Sequence, residues 1–137
     1  PDKIQEVLQP NQTAIEDKSI QFPDLAELNS VRQLAAQEVQ SQLATPNPPL
    51  LLDVREPEEY TDELGHIAGS VLIPLKELPT RIAEIEAHKE QDVIVICRAG
   101  VRSTTGAAIL TGLGFERVSN LKGGMLDWND QQLPVER

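Results

Sequence analysis

The 137 residues carry 12 Lys and Arg against 22 Asp and Glu, and a net charge of −10 disfavours nucleic acid and anionic membrane surfaces as partners. Hydrophobic residues make up 39% and aromatics only 3%, so the core has to be aliphatic, which suits a buried parallel sheet. One cysteine excludes an internal disulfide and leaves too few thiolates for a structural zinc site, and no apolar run approaches the roughly 20 residues of a membrane span.

His66 and His88 lie far apart with no ligand spacing between them, so no metal and no cofactor is expected. No basic, apolar secretory signal opens the sequence, and a lone free thiol fits a reducing compartment; the expected location is cytoplasmic. The first residue is Pro1, which fits a processed chain or a piece of a longer one.

In chain order, residues 1–29 hold two lysines against six carboxylates and read as an acidic polar tail or linker. Within it Ile4, Val7 and Leu8 fit one apolar helical turn ended by Pro10. Residues 30–137 read as the folded domain. Ser30–Leu34 predicts a first strand and Ala36–Ala44 a short amphipathic helix, and Thr45-Pro46-Asn47-Pro48-Pro49 is a hard break. Leu50–Val54 reads as a buried strand, and Glu56-Pro57-Glu58-Glu59 as a helix start with acidic residues in its first turn. Val71–Pro74 predicts a third strand. Leu75, Leu78, Ile82 and Ile85 then predict a helix reaching about Ala87. The β-branched run Val93–Ile96 is the strongest strand signal, followed by a helix over Thr104–Leu113, a last strand over Arg117–Leu121 and a final helix after Gly123-Gly124 that ends before Pro134. Strands alternating with helices predict an α/β fold: a small, open, mainly parallel five-stranded sheet with helices on both faces.

The segment that carries chemistry is Cys97-Arg98-Ala99-Gly100-Val101-Arg102-Ser103, between an apolar strand and a helix. In open α/β sheets such a loop lies at the carboxyl ends of the strands, where ligands bind. Backbone N–H groups of a tight loop opening a helix converge on one centre and favour an anion there. Gly100 supplies the positive φ that the curl needs. Two guanidiniums and a helix N-terminus favour the thiolate, which is the nucleophilic form of Cys97. Residues 93–115 contain no Asp or Glu, so the field at Cys97 is positive inside an acidic chain. A lone cysteine after an aliphatic strand is ordinarily a core residue, but a core cysteine gains nothing from two flanking arginines, which are rarely buried unpaired.

Four landmarks in order, covering Ser30 to the end, resemble the rhodanese family: Asp53-Val54-Arg55 with Glu59-Tyr60; Gly65-His66-Ile67-Ala68-Gly69-Ser70; the loop Cys97 to Ser103, like C-R-x-G-x-R-S; and Leu121-Lys122-Gly123-Gly124 with Trp128. The resemblance implies a sulfurtransferase. Cys97 takes the outer sulfur of thiosulfate or a persulfide donor and passes it to a thiol, a protein or cyanide. Arg98, Ala99, Gly100, Val101, Arg102 and Ser103 then form the anion-binding loop. The same resemblance leaves open a sulfur-relay or interaction module loaded by a protein partner. A cysteine-dependent phosphatase is more remote, because such enzymes place five residues between Cys and Arg where this chain places four. Arsenate reduction is remoter still, since it needs a second thiol from elsewhere.

Outside the loop, Asp53 is expected either to orient the loop and pair Arg55, or to serve as a structural ion pair or turn cap. Arg55 has the same standing, with Glu59 as another partner. His66 reads as a turn residue whose ring bonds the backbone rather than as a general base, because an activated thiolate needs no base. Gly123-Gly124 reads as a close-packed helix start near the loop, and Trp128 as core.

Overall fold

Period-two alternation in the apolar strands decides the architecture. The computed structural model describes residues 22–137. In β4 (Asp92–Ile96), Val93 and Val95 point to one face and Ile94 and Ile96 to the other, all four buried. The first pair joins Leu52, Val54, Ile73, Leu78, Ala107, Leu110 and Phe115. The second joins Leu34, Val39, Leu51, Leu121, Met125 and Trp128. A strand with two dry faces needs cover on both, which is the sandwich of helices around a parallel sheet.

The other strands are β1 (Arg32–Leu34), β2 (Leu50–Asp53), β3 (Val71–Leu72) and β5 (Arg117–Leu121). Their order is β1-β5-β4-β2-β3, and every pairing is parallel. The register sets Asp53 beside Ile96, so Asp53 and Cys97 emerge at the same end of the two central strands. Helices α2 (Ala36–Leu43) and α6 (Gly124–Asp130) contribute to the second apolar layer, and α5 (Val101–Gly112) to the first. The short α3 (Pro57–Tyr60) lies between β2 and β3 in the chain.

Several boundaries differ from the sequence reading. The apolar stretch after β3 is not one helix: a 3-10 turn at Leu75–Glu77, α4 at Leu78–Arg81 and a second 3-10 segment at Ile82–His88 follow one another. Pro79 has no N–H to continue a helical ladder, and the three-residue spacings Leu75–Leu78 and Ile82–Ile85 still turn these side chains toward the core. Helix α5 begins at Val101 rather than Thr104, so the last three of the seven loop residues lie in its first turn.

Of the segment read as a tail, residues 1–21, with the proposed turn at Ile4–Leu8, lie outside the described residues. In its last part, α1 (Leu25–Asn29) opens on a capping box: Asp24 Oδ1 accepts from the Glu27 amide and Glu27 Oε1 from the Asp24 amide, both at 2.8 Å. No helix among the described residues is long and apolar enough to cross a membrane.

Candidate active site

The loop is shaped from behind by the last helix. The Met125 amide donates to the Cys97 carbonyl at 2.9 Å and the Leu126 amide to the Arg98 carbonyl at 3.0 Å. Those carbonyls are thereby held toward α6. Only glycine fits at the junction: Gly124 has φ +58, and a Cβ there would overlap the carbonyl carbon of Arg98 and the carbonyl oxygen of Cys97, each at 2.5 Å. Gly123-Gly124 is thus a close-packed helix start against the loop.

On the other side, three donors converge on the Cys97 sulfur. Sγ accepts from the Gly100 amide at 3.1 Å, the Ser103 amide at 3.3 Å and the Ser103 hydroxyl at 3.2 Å. Gly100 turns with φ +101 and leads directly into α5, whose N-terminus adds its partial positive charge. Cys97, Gly100 and Ser103 are buried, whereas Arg98, Ala99 and Val101 are exposed. Among the described residues the Arg98 side chain meets neither a hydrogen-bond acceptor nor a carboxylate.

A polar chain behind the sulfur escaped the sequence reading. The Ser103 hydroxyl, with a single proton, lies between Sγ and the Asn120 side-chain oxygen. Asn120 Nδ2 donates to Gln33 Oε1 at 2.7 Å, Gln33 Nε2 to Thr104 Oγ1 at 3.4 Å, and Thr104 Oγ1 to the Gly100 carbonyl at 2.7 Å. This chain links the edge strand β1 to both ends of the loop. The available signal was Asn120 inside an expected strand of an α/β sheet, a position where a buried amide needs partners.

Asp53 and Arg55 form a fully buried bidentate pair, with Nε to Oδ1 at 2.9 Å and one terminal nitrogen to Oδ2 at 2.8 Å. Arg55 also donates to the Glu59 carbonyl at 3.1 Å and the Gly65 carbonyl at 2.8 Å. Neither residue hydrogen-bonds Cys97; together they fix the backbone of α3 and the following turn.

The Glu59 side chain does not pair with Arg55. Its two oxygens accept from the two terminal nitrogens of Arg102 at 2.7 and 2.8 Å. Arg102 holds the Glu59 carboxyl down from its usual 4.5 to about 2, against the opposing effect of burial, and the Glu56 amide adds to the lowering. The pair raises Arg102 in turn, first through its bond to Glu59.

His66 stacks on Tyr60, with ring centroids 3.7 Å apart and planes 5° from parallel, and its Nδ1 bonds the Tyr60 carbonyl at 2.8 Å. Trp128 is buried, and its Nε1 donates to the Pro134 carbonyl at 2.9 Å.

Comparison with known proteins returns a consistent picture. The family model described as "Rhodanese-like domain" matches residues 35–131. A protein named sulfurtransferase from Allochromatium vinosum is 34% identical over 105 residues, covering 77% of this chain and 94% of that one. A tRNA uridine(34) hydroxylase of Escherichia coli is 31% identical over 124 residues, which is 85% of this chain but 35% of the hydroxylase. A putative sulfur carrier protein of Bacillus subtilis, YrkF, is 44% identical over 78 residues, 57% of this chain and 40% of the carrier. The chain therefore spans well under half of the last two. The crystal structure of a rhodanese-like domain protein from Staphylococcus aureus superposes with a TM-score of 0.67 at 27% identity, covering 78% of this chain and all of that one.

Proposed function

Because the chain belongs to the rhodanese-like family, we propose that it is a sulfurtransferase that carries sulfur on Cys97. With thiosulfate, the Cys97 thiolate attacks the outer sulfur. The sulfur–sulfur bond breaks, sulfite leaves with the bonding pair, and a persulfide anion stays on the enzyme. With a persulfide donor the leaving group is the donor's thiolate. An acceptor thiolate, or cyanide, then attacks the terminal sulfur, and the Cys97 thiolate returns.

The observation that carries this reading is the convergence of the Gly100 amide, the Ser103 amide and the Ser103 hydroxyl on Sγ, with the loop carbonyls turned toward α6. A cradle of preorganised donors is what a sulfur anion needs where charge develops. Arg98 is the exposed cation for an incoming anion, and Ala99 and Val101 form the outer lip of the loop. Asp53 and Arg55 act indirectly, by holding α3.

A second reading is a sulfur relay, in which a protein loads or unloads Cys97. The exposed lip, with Val101 at 75% exposure beside Cys97 at 1%, favours it, as does the likeness to a putative sulfur carrier. A phosphatase is the weaker alternative, since the loop is one residue shorter than phosphatases use and Arg102 is already engaged.

The test is intact mass after brief exposure to thiosulfate, on wild type and on Cys97→Ser. A gain of about 32 daltons on wild type alone, removed by cyanide as thiocyanate appears, supports the transferase reading. No adduct from thiosulfate or from small persulfides refutes small-molecule turnover and leaves the relay.

A further inference from the structure

The sequence offers two arginines to an anion, and the folded site offers fewer. Both terminal nitrogens of Arg102 are committed to Glu59 in a fork-to-fork pair at 2.7 and 2.8 Å. This is not a loose surface pair. Glu59 Oε1 also accepts the Glu56 amide at 2.9 Å, and the Glu59 carbonyl is held by Arg55, itself locked in the buried pair with Asp53. Both carboxylate oxygens are therefore fixed before any substrate arrives.

We propose that Glu59 is a specificity-determining residue: it neutralises Arg102 at the mouth of the cradle and biases the site against compact dianions such as thiosulfate, in favour of sulfur donors whose reacting end carries at most one charge, the persulfides of thiols. This rests on the sulfurtransferase reading above.

The charges around the sulfur support it. Arg102 lies close enough to feel the Cys97 and Asp53 charges, after its pairing with Glu59. With that pair formed, Arg98 is the cation of the loop that meets no carboxylate among the described residues, and it is exposed, where solvent and salt screen it. A dianion approaching the thiolate must therefore pull Arg102 from Glu59 or sit beside the carboxylate, and both weaken its binding. A persulfide, R–S–SH, makes neither demand. Cys97 attacks its outer sulfur, the donor's sulfur–sulfur bond breaks, and RS⁻ leaves with the electron pair while the proton stays with the transferred sulfur. The backbone donors of Gly100 and Ser103 suffice for the single charge that moves. Glu59 remains ionised throughout the physiological range, so the bias is constant rather than a switch.

The experiment compares wild type with Glu59→Gln, which keeps an oxygen for the Glu56 amide and one bond from Arg102 but removes the charge. Rates of Cys97 loading are measured with thiosulfate and with the persulfide of 2-mercaptoethanol. Protection of Cys97 from iodoacetamide by sulfate is measured in parallel. The expected result is a thiosulfate KM lower by about three- to tenfold with kcat little changed, sulfate protection tightened to a similar degree, and persulfide loading altered by less than about twofold. A merely structural role would slow both donors together. An unchanged or raised KM for thiosulfate, equal shifts for both donors, or unaltered sulfate protection would overturn the proposal. If neither donor loads the wild type, the small-molecule sulfurtransferase reading fails, and sulfate protection still decides the part played by Glu59.

Discussion

Replacing Gly124 by alanine tests the idea that the last helix shapes the loop. Two costs arise. An alanine in the left-handed region costs about 1–2 kcal/mol relative to glycine. The added Cβ would also overlap the Cys97 and Arg98 carbonyls, so α6 and the loop must separate and weaken the bonds from Met125 and Leu126. Those are worth about 0.5–1.5 kcal/mol each, which brings the total for Gly124→Ala to roughly 2–5 kcal/mol. Gly69 provides the internal control: its φ is +84, but a Cβ there meets nothing within 4 Å, so Gly69→Ala bears the conformational cost alone, about 1–2 kcal/mol. Urea unfolding followed by the fluorescence of Trp128, the one tryptophan and buried in α6, reports both. Gly124→Ala is expected to lose the greater stability and also to load sulfur on Cys97 more slowly, whereas Gly69→Ala loads at the wild-type rate. Equal destabilisation with equal loading rates would refute the account of α6 as the template of the loop.

Three further outcomes follow from the polar groups around the loop. Asp53→Asn leaves the Arg55 guanidinium uncompensated at zero exposure and is expected to cost about 3–5 kcal/mol in urea unfolding; a loss below about 1 kcal/mol would mean that the pair holds nothing. Ser103→Ala removes the single hydroxyl proton shared between Sγ and the buried Asn120 oxygen, leaving one of them short of a donor, for about 1–3 kcal/mol and slower persulfide formation, read by denaturation and stopped-flow loading. Glu59 has its folded pKa depressed from 4.5 to about 2, so its stabilising contribution is complete above pH 4.5 and is lost as pH falls toward 2. Urea midpoints across that range should fall less steeply for Glu59→Gln than for wild type, and parallel profiles would contradict the pairing.

Local pattern carried most of the architecture. The run Val93–Ile96 carried the strongest strand signal and is a strand buried on both faces, and the alternation of such runs with helices predicted the five-stranded parallel sheet. Pro79 was visible, yet its effect was masked by apolar residues whose spacing a 3-10 segment satisfies as well as an α-helix. The loop itself was legible because its residues are contiguous. Its supports were legible only in part: Asp53 with Arg55 are two positions apart, and that pair was among the partners expected. Arg102 and Glu59 are 43 residues apart, and Asn120 and Gln33 are 87 apart, joined only because β1 lies at the edge beside β5. Nothing in a periodicity distinguishes Glu59 from the other carboxylates of an acidic chain. The geometry that does so is the anchoring of α3 by the Arg55 guanidinium.

The docking of α6 beneath the loop has a further consequence for how the site comes into being. During synthesis Cys97 leaves the ribosome before Gly124, and β1 waits far longer for β5, its strand partner. Until those last segments emerge, the nascent chain lacks the Met125 and Leu126 amides that hold the Cys97 and Arg98 carbonyls. The backing of the loop is thus completed only once the sheet and α6 are assembled, and a polypeptide arrested before Gly123 holds Cys97 without it.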